Sequence, residues 1–160
     1  MAKEAISFEQ FMETVEPNYQ AFIKELNDYL TENGCKVTIE EKKNGYLASY
    51  KHTKLKKTIL NKLFRKNGMF IRIYGDNAEK YLDFLNSMPE EMKTAIDKSP
   101  QCKRLVENGC NPKCIGYDIV IDEKRHQKCR YSCYQFLVSD ENNPYIKSFV
   151  ENEVAQRLAG

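Results

Sequence analysis

Histidine is scarce in this chain, and the motifs that announce an enzyme are missing. Only His52 and His126 occur, which excludes a catalytic metal site built on several imidazoles. There is no G-x-S-x-G elbow, H-E-x-x-H helix, Walker loop or Rossmann glycine pattern, and NGMFIRIYGDN holds too few glycines to cradle a phosphate. No segment approaches the ~20 apolar residues needed to cross a bilayer. The opening MAKEAISFEQFMETVEPNYQ lacks the uninterrupted apolar core of a signal peptide. A cytoplasmic location without a membrane role is the expectation.

What is present is an ordinary globular composition: 160 residues, 41% hydrophobic and 30% charged. A chain of this length buries roughly 70% of its unfolded surface without covalent staples, so one α+β domain over 1–160 is expected. Six cysteines in a reducing compartment are free thiols or metal ligands rather than disulfides.

Ser7 and Gln10 have the spacing of a capping box and start a short helix. Pro17 suits the first turn of a second helix, with Tyr19, Phe22, Leu26 and Leu30 on one face until Glu32-Asn33-Gly34 stops it. Alternating residues either side of Asn44-Gly45 predict a hairpin over 37–51. The same chemistry recurs around Asn67-Gly68, which suggests a four-strand meander. Residues 54–66 also fit one face of a helix, through Leu55, Ile59, Leu60, Leu63 and Phe64; strand is the preferred reading. Asp76 is placed to cap a helix carrying Tyr81, Phe84, Leu85 and Met88, and Pro89 opens another with Met92 and Ile96. Residues 100–114 read as irregular loop, and 115–138 as a hairpin turning near Glu123 to Arg125. Asn143-Pro144 starts a closing helix with Phe149, Val150, Val154 and Leu158 inward. The sum is an α+β fold, an antiparallel sheet of hairpins packed by N-terminal, middle and C-terminal helices.

Four cysteines form two C-x3-C pairs, Cys110 with Cys114 and Cys129 with Cys133. A three-residue turn in the last hairpin sets Asp122 opposite His126, Asp118 opposite Arg130 and Ile119 opposite Cys129. Ile115, Tyr117, Ile119 and Ile121 then share a face with Gln127, Cys129, Tyr131 and Cys133, and His126 points to the other. Residues four apart on a straight strand lie ~13 Å apart, too far for two sulfurs on one tetrahedral zinc. A four-thiolate zinc is therefore built from Cys102, Cys110, Cys114 and Cys133, with Cys129 as substitute. Its competitor is unligated core thiols. Cys35 stands alone and is expected against the first hairpin.

From Lys51 to Gly75 there are eight Lys or Arg and no acid. Lys54, Lys56, Lys57, Lys62, Arg65 and Lys66, with aromatic residues interleaved, are the ingredients of a nucleic-acid surface. In a meander, Lys62 and Lys66 share a face with Leu60 and Phe64, so their stems cover the core edge while their heads stay in water. A net charge of +2 is also far from that of a dedicated nucleic-acid protein.

The layout of an N-terminal helix, KNGYLASYK and FRKNGMFIRIYGDN strands, middle helices, and a GYDIVIDEKRHQKCRYSCYQF hairpin before a closing helix resembles small bacterial α+β domains of the YdhG-like group. The resemblance spans most of the chain and carries over no functional residue. It implies a cytosolic antiparallel sheet packed by helices on one side, in a family without an assigned activity. The reading is a binding or accessory domain, not an enzyme, for a small molecule or protein, with Tyr46, Tyr50, Phe70, Arg72 and Tyr74 as candidate lining residues. The competing reading is a zinc-stabilised nucleic-acid-binding domain.

Overall fold

The structure, a computed structural model, describes residues 6–43, 45–66, 68–102 and 116–159. It is α+β. Helices α1 (Phe8–Glu13) and α2 (Gln20–Glu32) precede strands β1 (Cys35–Lys42), β2 (Gly45–His52), β3 (Lys57–Arg65) and β4 (Gly68–Ile73). Then come α3 (Leu82–Asn86), α4 (Glu90–Lys98), β5 (Tyr117–Ile121), β6 (Lys124–Lys128), β7 (Gln135–Leu137) and α5 (Asn143–Ala159). One sheet has the order β1-β2-β3-β4-β7, and β5 and β6 form a separate antiparallel pair. Among the described residues no helix is long and apolar enough to cross a membrane.

The chain divides into two compact units, Met1–Ile71 with Leu137–Ser139, and Arg72–Phe136 with Asp140–Gly160. In the first, Ser7 accepts from the Gln10 amide while the Gln10 side chain accepts from the Ser7 amide, the full capping box. Pro17 opens a 3-10 turn that runs into α2. Helix α2 buries Ile23, Leu26 and Leu30. The meander is present, Lys42 pairing with Gly45 across the first hairpin. Residues 57–65 are strand, as preferred over helix. A bulge between Tyr50 and Lys51 shifts the β2–β3 register, so both Ile59 and Leu60 are fully buried.

Phe149 of α5 is the hub of the second unit, with ring centroids 4.9 Å from Tyr134, 5.7 Å from Tyr81 and 5.8 Å from Phe84. Leu158, expected inward, is 52% exposed. The inner face of α5 instead carries Ile146, Phe149, Val150, Glu153 and Val154. Asp76 is not a helix cap either: α3 begins after Tyr81, without a side-chain cap.

The last hairpin departs most from expectation. Tyr117 pairs with Lys128, Ile119 with His126 and Ile121 with Lys124, so the turn is the two residues Asp122 and Glu123, both at positive φ (51° and 67°). That is a type I′ geometry, whose twist matches the strands. The register moves by an odd number, which exchanges the faces. His126 is therefore buried opposite Ile119 instead of pointing away. Strand β6 also ends at Lys128, and Cys129 to Cys133 is a helical turn closed by Cys133 N–H donating to the Cys129 carbonyl at 2.9 Å.

Candidate functional site

In the first unit a groove of about 370 Å³ opens where three separate stretches of chain meet. Its position follows from local bonds. Gln20 Nε2 donates to the Met12 and Val15 carbonyls, both at 3.1 Å, and fixes the α1–α2 link. Val138 N–H donates to the Met69 carbonyl at 2.9 Å and holds the third stretch beside β4. Gly68 makes the approach feasible: at φ 135°, a Cβ there would sit strained and 3.2 Å from Leu137 Cδ1.

The floor is apolar, formed by buried Val15, Met69 and Val138. Phe64, Leu137 and Tyr19 are half-buried walls, and Thr14, Glu16, Arg65 and Lys66 form an exposed rim. Neither Arg65 nor Lys66 has a hydrogen bond or ion pair from its side chain to another described residue. Two cations thus border an apolar floor, with Glu16 the single carboxylate among the described lining residues.

Beneath the sheet face covered by α2 lies Lys62, with no exposed surface. Its Nζ donates to the Tyr50 hydroxyl at 2.8 Å and to the Ile23 carbonyl at 3.0 Å, and Tyr50 in turn donates to Asn27 Oδ1 at 2.7 Å. The amine stands 4.6 Å from the Tyr50 ring centroid and 5.4 Å from that of Phe8. Burial pushes it well below the usual lysine range, against the pull of Asp28. Tyr50 itself is pushed far up by burial.

In the second unit, Glu153 is fully buried and accepts from Tyr81 Oη, Asn77 N at 3.1 Å, Asn77 Nδ2 at 2.9 Å and Arg157 Nε at 2.8 Å. Arg157 also donates to the Tyr74 carbonyl at 2.6 Å and faces Asp76 at 3.4 Å. Asp76 accepts from Tyr117 Oη at 2.6 Å and pairs with Arg130, whose guanidinium lies 5.0 Å from the Tyr74 ring centroid. This network ties α5 to the segment after β4 and to the β5–β6 hairpin.

The expected lining residues are divided between the two units, Tyr46, Tyr50 and Phe70 in the first and Arg72 and Tyr74 in the second. Tyr50 lies under α2, bonded to Asn27 and Lys62, while Tyr46, four residues earlier on β2, is half-buried. Phe70 and Arg72 alternate with buried Met69, Ile71 and Ile73 along β4. Arg72 donates to Gln135 Oε1 at 3.3 Å, and Tyr74 is buried against Arg130. Of the basic set, Lys54, Lys56 and Lys57 are exposed before and at the start of β3, Arg65 and Lys66 at and after its end. Eight residues of strand separate Lys57 from Arg65, about 26 Å. Lys62 does not reach water as expected.

Cys102 and Cys133 are buried, Cys129 half-buried, and all three are free thiols. Cys110 and Cys114 lie outside the described residues. Cys102 N–H donates to the Gln127 carbonyl and Cys129 N–H to that of Pro100, so the two follow one antiparallel bridge, Gln101 opposite Lys128. The helical turn removes the ~13 Å separation between Cys129 and Cys133 that a straight strand imposes. Among the described residues, no three His, Cys, Asp or Glu are grouped to hold a metal ion. Cys35 is buried at the start of β1, opposite His52.

The groove escapes sequence reasoning because its lining comes from three stretches distant in sequence, residues 14–16 with 19, 64–66 with 68 and 69, and 137–139, which no functional motif links. The one available signal was the pair Arg65-Lys66 directly after Phe64. No family model matches the chain, and neither curated proteins nor solved structures include one that matches it.

Proposed function

We propose that the chain is a non-enzymatic binding domain whose ligand is a small molecule seated in the groove of the first unit. The observation that supports this reading is the junction of a buried apolar floor, Val15, Met69 and Val138, with the rim cations Arg65 and Lys66, which have no side-chain partner among the described residues. A volume of about 370 Å³ falls within the range of small-molecule sites. Among the described residues the lining contains no histidine and no cysteine.

Amide-resolved NMR on the 18.7 kDa chain with a library of small acids, amines and neutral fragments tests the reading. Saturable shifts are expected at residues 14–19, 64–69 and 137–139. Binders that move only other regions, or none at all, would reject it. The nucleic-acid reading is less well supported, since the exposed cations stand in two groups about 26 Å apart and Lys62 is withdrawn from both.

A further inference from the structure

We infer that β1 is an interaction edge for a second copy of this chain, the two copies pairing antiparallel about a two-fold axis at Thr38. No residue of this edge lines the groove. Strand β1 closes the sheet order, and among the described residues no strand lies beyond it. It runs eight residues, CKVTIEEK, and stays in register with β2 from Cys35 opposite His52 to Lys42 opposite Gly45. Proline, a bulge or a very short strand would blunt such an edge against pairing, and β1 has none of them.

Backbone phase comes first. Thr53 N–H donates to the Gly34 carbonyl at 3.0 Å, one step beyond the pair Cys35 and His52. Bonded and non-bonded pairs alternate along an antiparallel ladder, so Lys36, Thr38, Glu40 and Lys42 turn their amides and carbonyls to β2. Cys35, Val37, Ile39 and Glu41 turn theirs outward. A second β1 can bond only where outward residues meet outward residues, which centres the two-fold axis on a residue and not between two.

Charge then selects the residue. Centring on Ile39 sets Lys36 against Lys42, centring on Glu40 sets that carboxylate against itself, and centring on Val37 leaves Lys36 opposite Thr38. Centring on Thr38 sets Lys36 against the partner's Glu40 on both sides of the axis, in the non-bonded pairs whose side chains come closest. On the other face it sets Val37 against the partner's Ile39. These two side chains are half-buried, opposite the fully buried Tyr50 and Ala48, so the pairing covers apolar surface at the rim of the core.

Lys36 also stands opposite Lys51 on β2, both exposed, and neither has an ion pair to another described residue. Like charges across a ladder repel, and an acid arriving from the open side relieves them. Glu40 already meets Lys42 at 3.0 Å, but both side chains are more than half exposed, and such a surface pair holds Glu40 only weakly.

The test is sedimentation velocity of the full chain from about 5 µM to about 500 µM, with amide exchange measured by NMR at about 50 µM and about 500 µM. One strand edge is a small interface, at the weak end of specific association, so a reversible dimer whose fraction rises with concentration is expected. The Val37 and Ile39 amides should exchange more slowly as it forms, while those of Thr38 and Glu40, already bonded to β2, should not change. Lys36→Glu and Glu40→Lys should each weaken the dimer at least tenfold, and the two together, which swap the pair, should restore it. Both positions are exposed, and Lys36→Glu gains an opposite charge in Lys51, so its Tm should not fall and lost association is kept apart from lost folding. A chain monomeric throughout the range would overturn the pairing, as would a dimer that protects amides outside β1 or ignores both reversals. Reversals that weaken the dimer with no recovery in the swapped chain would overturn the register at Thr38.

Discussion

Lys62 Nζ donates to the Tyr50 hydroxyl at 2.8 Å with both side chains buried beneath α2. A cation at that point would carry a large desolvation cost with no carboxylate bonded to it among the described residues. The second donor contact, to the Ile23 carbonyl, satisfies an amine but does not neutralise a charge. Burial therefore holds the group well below its ordinary value, Asp28 opposing only in part.

The sign of the resulting pH dependence is fixed. Between the folded and unfolded values the unfolded chain binds one more proton, so stability rises with pH across that window, by about 1.4 kcal/mol per pH unit, up to the ordinary lysine value. Lys62→Met keeps the length and removes the proton site. In denaturant melts from pH 6 to pH 10 the variant should be the more stable at neutral pH, with its advantage shrinking as pH rises. A difference that does not vary with pH would show that the lysine is charged in the fold.

Glu153 stands in the opposite situation, a buried carboxylate with four donors, one of them the buried guanidinium of Arg157. Glu153→Ala leaves Arg157 and Tyr81 without that partner, and removing one member of a buried pair costs about 3–5 kcal/mol. At 2–4 °C per kcal/mol for a chain of this size, Tm should fall by roughly 6–20 °C. Glu153→Gln keeps the shape and one accepting oxygen, so one of the two Asn77 contacts survives, and should cost less. A loss below about 1 kcal/mol in the alanine variant would mean that Asp76 and the Tyr74 carbonyl suffice for Arg157.

Sequence showed what local chemistry dictates and hid what depends on distant chain. The Ser7–Gln10 box, the glycine after Asn44 and the Asn143-Pro144 start each act within four residues, and each is where expected. The type I′ turn at Asp122-Glu123 was hidden because neither residue is glycine or asparagine. It is held from outside, by Asn86 accepting from the Asp122 amide at 2.9 Å and Lys93 pairing with its carboxylate at 2.8 Å. Lys62 and Glu153 were hidden for a related reason. A charged side chain at a core-facing position reads as one whose head reaches water, unless its partners, here 12 and 39 residues away for Lys62, are known to converge.

The turn yields its own prediction. Glu123 is exposed and sits at φ 67°, a conformation that costs an ordinary L-residue about 1–2 kcal/mol and glycine almost nothing. After the extra freedom glycine gains in the unfolded chain, Glu123→Gly should stabilise by about 0.5–1 kcal/mol, read as a rise of about 1–4 °C in Tm. Asp122→Gly relieves the same strain but forfeits the Lys93 ion pair, and should gain less. Equal gains would assign no value to that pair.

The thiols divide by burial. Cys133 is fully buried, and burial raises its thiol far above the ordinary range. Cys102 and Cys35 are 3% and 7% exposed, whereas Cys129 is only half-buried. In a chain carrying Cys110→Ser and Cys114→Ser, native titration with a disulfide reagent should therefore modify one thiol, Cys129, within minutes and the other three only on unfolding. Metal content of the unsubstituted protein, purified without chelator, decides between the two roles the cysteines can have. One equivalent of zinc, with Cys129 protected as well and Tm lowered by chelation, would make these thiols ligands whose binding is coupled to folding. Metal-free protein with Cys129 open would make Cys133 a packed core side chain, held by the same helical turn that breaks β6 after Lys128.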